Sequence, residues 1–137
     1  MSDKIQTTVA EVMTTDIVSI EPTATVHDAT VLMREHGMSS VLVDRRDNSD
    51  EFGIIVVSDI ASKVLAKNLS PERVNVYEVM SKPVLTLAAE MNIVHGAHML
   101  SRFKLSRALV IDHGRNPLGI VTLRDMVLRN IKEAEEE

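Results

Sequence analysis

The chain has 137 residues, 45% of them hydrophobic and 26% charged, with a formal net charge of −5, the balance of a globular protein able to bury a core and not of a disordered one. The acidic balance argues against a nucleic-acid surface, which shows a clustered basic face. No apolar run approaches the ~20 residues of a membrane span, residues 1–8 show no secretory pattern, and the absence of cysteine removes disulfides, thiol nucleophiles and thiolate metal sites together.

These features lead to the expectation of a soluble, cytoplasmic protein. With no Trp, one Tyr and two Phe, the core must be built from Val, Ile, Leu, Ala and Met, and methionine suits adaptable packing. A flat ring bound here has to be held by aliphatic side chains.

In chain order, residues 9–13 (VAEVM) form a short amphipathic turn and Val18-Ser19-Ile20 a brief strand, broken by Glu21-Pro22-Thr23. Thr25 caps the next helix, with Asp28 at the reciprocal position three residues on. Val26, Ala29, Leu32, Met33 and His36 share one face of it, and Gly37 is placed to end it. Val41-Leu42-Val43 reads as a strand, residues 45–51 (RRDNSDE) as a polar turn, and residues 53–57 (GIIVV) as a strand too continuously apolar to be exposed. A helix follows from Ser58-Asp59 to about Asn68, burying Ile60, Val64 and Leu65. Residues 69–75 (LSPERVN) are a linker in which Ser70-Pro71-Glu72 makes one capped turn.

The order then repeats. Val79-Met80-Ser81 answers Val12-Met13-Thr14, residues 84–87 answer 17–20, residues 93–103 answer 26–36, and residues 108–111 answer 41–43. Gly119 and Asp125 answer Gly53 and Asp59. Met13 to Met80 is a shift of 67 residues and Asp59 to Asp125 a shift of 66, so one residue is lost in the loop before the last strand. The expected fold is mixed α/β: two tandem strand–helix–strand–strand–helix units, at residues 9–68 and 76–131, with an acidic tail at 132–137. A unit of about 60 residues is marginal for want of core, whereas two related by a pseudo-twofold axis bury each other's sheets.

Most of the chemistry lies in Gly119-Ile120-Val121-Thr122-Leu123-Arg124-Asp125, a strand that opens the last helix. A helix start offers unpaired N–H donors and a partial positive charge, which suits a phosphorylated or hydroxylated ligand. The same residues also make a capping box, with Thr122 and Asp125 bonding backbone amides reciprocally. The residue types leave both readings open, and the second occurrence of the arrangement favours a ligand.

The pattern of VMT or VMS, an apolar strand, a helix carrying Ala29 or Ala97, an LV-type strand, then glycine-hydrophobic-x-x-x-x-aspartate before a helix resembles the cystathionine-β-synthase (CBS) domain, over residues 9–131. The resemblance implies a tandem CBS pair, a regulatory module that commonly binds AMP, ADP, ATP or S-adenosylmethionine in two symmetry-related clefts between the repeats. It also implies disc-like dimers formed through helices. The family's ligand signature, glycine-hydrophobic-x-Thr/Ser-x-x-Asp, is met in full by Gly119, Thr122 and Asp125; in the first repeat Gly53 and Asp59 match while Val56 holds the Thr/Ser position. By the same resemblance the better cleft joins Ile120, Thr122, Arg124 and Asp125 with Thr15, Ile17 and Val18 and with Ser39 and Ser40. The poorer joins Ser58 and Asp59 with Lys82, Val84, Ser106 and Arg107.

These residue types suit a nucleotide. A carboxylate accepts from two vicinal hydroxyls at once, so Asp125 matches a ribose diol. Thr122 supplies a hydroxyl at a helix start, and Ile17, Val18 and Ile120 can sandwich a purine. Arg124, or Arg107 in the other cleft, can meet phosphate oxygens through a planar fork.

The expectation is a binder without a prosthetic group, and not an enzyme. Serines near histidines sit at turns or caps, where they bond backbone, and no glycine-rich, Lys-containing hydrolysis loop occurs. His95 and His98, at i and i+3, can begin a metal site, but no third ligand is evident and core or surface histidines are the alternative. Leu123, Met126, Val127, Leu128 and Ile131, with Met99, cover more of the last helix than one core-facing stripe needs and point to a twofold homodimer. Two functions stand: a nucleotide sensor that signals to another chain, no effector domain being attached, and a constitutive dimerisation scaffold with vestigial clefts. Neither involves nucleic acid or a membrane.

Overall fold

The computed structural model describes residues 4–136, with side chains to Asn130; Ile131 and the acidic run at 132–137 lie outside the residues whose side chains are described. Helix α1 (Val9–Val12) leads to strand β1 (Ser19–Ile20), helix α2 (Val26–His36), strands β2 (Ser40–Val43) and β3 (Gly53–Val56), and helix α3 (Val57–Ile60), which continues as a π-helical turn over Ala61–Leu65. Two 3-10 turns, Pro71–Arg73 and Val76–Glu78, precede β4 (Thr86–Ala88), α4 (Ile93–Arg102), β5 (Arg107–Ile111), β6 (Pro117–Thr122) and α5 (Leu123–Glu136).

Two three-stranded sheets result, β1-β2-β3 and β4-β5-β6. In each the first pair is parallel and the second antiparallel. A parallel pair needs a crossover, which α2 and α4 supply, while the antiparallel pair is joined by a polar turn. The tandem mixed α/β organisation expected from the sequence is therefore present.

The chain clusters into two compact units, one spanning Val18–Val84 and the other formed by the chain up to Ile17 together with the chain from Leu85 on. This partition cuts across the sequence repeats. Val9 and Val12 of α1, 0% and 1% exposed, share a core with Leu87, Leu100, Val121 and Met126, and the Val9 N–H donates to Met91 O at 2.8 Å. In the other unit Val76 and Val79 join Val26, Val41 and Ile55, and the Val76 N–H donates to Ala24 O at 2.8 Å. Each sheet buries one face under helices, and the leading segment of one sequence repeat fills that layer beside the sheet of the other.

Local chemistry accounts for the elements. The Thr25 hydroxyl accepts from the Asp28 N–H at 3.1 Å and the Asp28 carboxylate accepts from the Thr25 N–H at 3.2 Å, a complete capping box at the start of α2. Gly37 closes that helix at φ 62, the left-handed geometry that glycine adopts without strain. Val26, Ala29 and Met33 are buried as expected. Two apolar assignments change: His36 faces solvent, and Leu65 is 75% exposed while its neighbour Val64 is fully buried. The chain is π-helical over Ala61–Leu65, so a stripe read at the α-helical period of about 3.6 residues does not place Leu65 on the buried face.

Candidate functional site

In each unit the last strand runs directly into a helix, and a backbone strap crosses that corner. In the unit holding β4–β6, Thr14 and Ile120 exchange both backbone hydrogen bonds at 2.9 Å each. A Cβ on Gly119 would lie 2.6 Å from Thr14 O and 2.8 Å from Met13 Sδ. Only a residue without a side chain lets the strap approach so closely. The other unit repeats the arrangement: Ile54 and Ser81 exchange bonds at 2.9 and 2.8 Å, and a Cβ on Gly53 would lie 2.9 Å from Met80 Sδ. The first strap runs on to Thr15 and Ile17, the second to Lys82 and Val84.

At the end of β6 the Thr122 hydroxyl oxygen accepts from the Asp125 N–H at 3.0 Å. This is one half of the capping box read from the sequence. A hydroxyl so engaged still has its own hydrogen to donate. The Asp125 carboxylate lies instead toward Arg129, with Oδ1 3.8 Å from Nε. Arg107 stands opposite Thr122 in the β5–β6 register, and the Leu123 N–H donates to Ser106 O at 2.9 Å. Burial pushes the Arg107 guanidinium below its ordinary value, and the Asp125 charge opposes that shift. One unit thus holds Thr15, Ile17, Ile120, Thr122, Arg124 and Asp125 together with Ser106 and Arg107, two residues that the family pattern groups with the other cleft.

Val18, Ser39, Ser40, Ser58, Asp59, Lys82 and Val84 belong to the second unit. There Val56 starts the helix without a side-chain cap. Val57 donates to Ser39 O at 3.0 Å, the counterpart of the Leu123 bond, and Ser40 pairs with Val56 in the β2–β3 register. Val84 is only 7% exposed. The Lys82 ammonium lies 2.8 Å from Asp50 Oδ1 and donates to Oδ2 at 2.9 Å. The Arg46 N–H also donates to Asp50 Oδ2, at 2.9 Å. These contacts, Lys82 first, hold the Asp50 carboxyl well below the usual carboxylate range. A phosphate reaching Lys82 therefore meets a cation that is already paired.

Three residues of consequence escape a reading by signature. Arg129 Nη1 donates to Val12 O at 2.9 Å and to Met13 O at 3.1 Å, and Lys63 Nζ donates to Val79 O at 3.2 Å. Their signal is visible in retrospect: in both repeats a base follows the signature aspartate at i+4. Asp50 carries no such signal, since it meets Lys82 across 32 residues.

Elsewhere, His95 and His98 are exposed, and among the described residues no group of three or more His, Asp or Glu side chains could hold a metal ion. No helix among the described residues is long and apolar enough to cross a membrane. Met126 is 2% exposed and belongs to the core, with Leu123 and Met99 packed against it. Among the described side chains of α5, Val127 and Leu128, 57% and 48% exposed, are the open apolar ones.

The CBS domain model matches residues 9–66 and 76–130. The chain is 29% identical over 119 residues to an uncharacterized protein of Methanopyrus kandleri, a match covering 87% of this chain and 60% of that protein's length. In fold it is similar to the hexameric CBS-CP12 protein from bloom-forming cyanobacteria, with a TM-score of 0.88, 31% identity and coverage of 96% of this chain and 75% of that one. It is also similar to the CBS domain of the bacterial CNNM/CorC family Mg2+ transporter in complex with ATP, with a TM-score of 0.75, 28% identity and coverage of 91% and 87%.

Proposed function

The chain belongs to the CBS-domain family as a tandem pair, and from that premise we propose that it is a regulatory module that binds an adenosine nucleotide at the Asp125 corner and passes its occupancy to a partner protein. The observation that carries this reading is the corner itself, with a carboxylate at the start of α5, the Thr122 hydroxyl beside it and Arg107 opposite. Asp125 takes the ribose diol. Arg107 and Arg124 take phosphate oxygens, and Ile17 and Ile120 offer the aliphatic faces that a purine needs in a chain so poor in aromatics. AMP, ADP and ATP all fit this chemistry, and the ATP complex of a structural neighbour supports it. S-adenosylmethionine also carries a ribose diol. The Asp59 corner is the weaker site, because Val56 brings no hydroxyl and Lys82 is tied to Asp50.

Those same two features favour a second reading, a dimerisation scaffold whose ligand corners are vestigial. Thermal-shift measurements with AMP, ADP, ATP, S-adenosylmethionine and NAD separate the two. A ligand at 100 times its dissociation constant adds about 2.7 kcal/mol to stability, so at least one of the adenosine compounds raises the melting temperature. A flat response to all five leaves the scaffold.

A further inference from the structure

The carboxylate of each signature corner is linked to the neighbouring strap by one long cationic side chain, and the device occurs twice. Arg129 sits one helical turn beyond Asp125, with Nε 3.8 Å from Asp125 Oδ1, while its Nη1 donates to the carbonyls of Val12 at 2.9 Å and Met13 at 3.1 Å. In the other unit Lys63 Nζ lies 3.8 Å from Asp59 Oδ1 and donates to Val79 O at 3.2 Å. Val12 and Val79 are equivalent positions, as are Lys63 and Arg129, displaced by 67 and 66 residues.

An i,i+4 helix pair contributes only a few tenths of a kcal/mol, and at 3.8 Å, with cationic side chains 47% and 45% exposed, neither pair has the geometry of a strong one. The ion pair alone therefore does not account for the arrangement; its second end, on the strap, does. We infer that Arg129 is a positioning residue for ligand binding. It spans from the Asp125 carboxylate to the strap that leads to Thr15 and Ile17, so that the group meeting the ribose and the segment beside it are held in one geometry; Lys63 does the same for Asp59. The inference rests on the reading of Asp125 as the ribose acceptor. Arg129 approaches the carboxylate at ion-pair distance rather than by a bidentate hydrogen bond, so Asp125 keeps acceptor capacity for a diol. The guanidinium holds two strap carbonyls where the Lys63 ammonium holds one.

The test is calorimetric titration with AMP and ATP, each compared with its 2′-deoxy analogue, which lacks one of the hydroxyls a carboxylate would bind. The preference for ribose over deoxyribose reads the Asp125 contact directly. The inference expects Arg129→Met to lower affinity by about fivefold or more and to collapse that preference toward the value for Asp125→Ala. Arg129→Lys retains most of the preference, and adding Arg129→Met to Asp125→Ala has little further effect. Equal losses for ribose and deoxyribose ligands, or no loss where Asp125→Ala still loses, overturn the inference and leave the ribose reading intact. A wild-type protein that binds neither pair, or shows no ribose preference, removes the ribose reading and this inference with it. Should Arg129→Met melt below the assay temperature, Arg129→Gln, which can keep a neutral donor for the strap but loses the charge facing Asp125, is titrated instead; a fall in ribose preference supports the inference and an unchanged preference overturns it.

Discussion

Asp50 and Lys82 show how one side chain redefines another. Lys82 is grouped with the poorer cleft by family resemblance, yet it is the first of the contacts that hold the Asp50 carboxyl below its ordinary value of 3.8. A carboxylate whose folded value is depressed contributes stability that is present above the unfolded value and is lost as the pH falls toward the folded one. The stability difference between wild type and Asp50→Asn is therefore full at pH 7 and shrinks below about pH 4. Urea melts at pH 7, 4 and 3 check this, and a difference that stays constant to pH 3 would show that the pair contributes nothing. Residue by residue, the bond between Thr122 and Asp125 was legible because a three-residue spacing at a helix start is that of a cap. Asp50 was not, because a polar turn carries no mark of the cation it will meet 32 residues later.

At the scale of elements, the corner between β6 and α5 depends on the closeness of its strap. Gly119→Ala sets a methyl group against the Thr14 carbonyl, 2.6 Å away, and rigid backbone cannot yield as a side chain would. Overpacking of this kind costs roughly 1–3 kcal/mol, and it also shifts Thr15. Gly37→Ala meets nothing within 4 Å and carries only the left-handed backbone cost of roughly 1 kcal/mol. Denaturant titration should therefore rank Gly119→Ala as the more damaging, and only Gly119→Ala should also weaken nucleotide binding; equal effects on both counts would contradict the strap's role. The bounds of helix α2 were legible to the residue, since Thr25, Asp28 and Gly37 each act locally. The fate of Leu65 was not, because a stripe read at a 3.6-residue period gives no warning of the π-helical turn over Ala61–Leu65. The function of the signature glycine was also hidden, since it is set by a strap more than 100 residues away in the chain.

At the scale of the whole molecule, duplication is what made the fold readable, for no single motif carries it. The spatial partition was not readable: nothing in residues 9–13 says that they will join the core of β4–β6 rather than that of β1–β3. Self-association belongs to this scale as well. With Met126 committed to the core, Val94, Val127 and Leu128 in one unit, and Val57, Leu65 and Tyr77 in the other, are exposed apolar positions on helical segments among the described residues. A similar fold occurs in a hexameric protein. The twofold homodimer expected from the sequence is tested by Val127→Glu with Leu128→Glu: if it forms through these helices, the wild type runs as a dimer by light scattering and the variant as a monomer at unchanged melting temperature. An unaltered dimer would place the interface elsewhere.

The most direct measurement is calorimetric titration of wild type and Asp125→Ala with AMP and ATP. Loss of a hydrogen-bonded carboxylate in a ligand site costs on the order of 1–3 kcal/mol, so the variant is expected to bind about tenfold more weakly or worse. Identical affinities in the two proteins would mean that no ribose rests on Asp125.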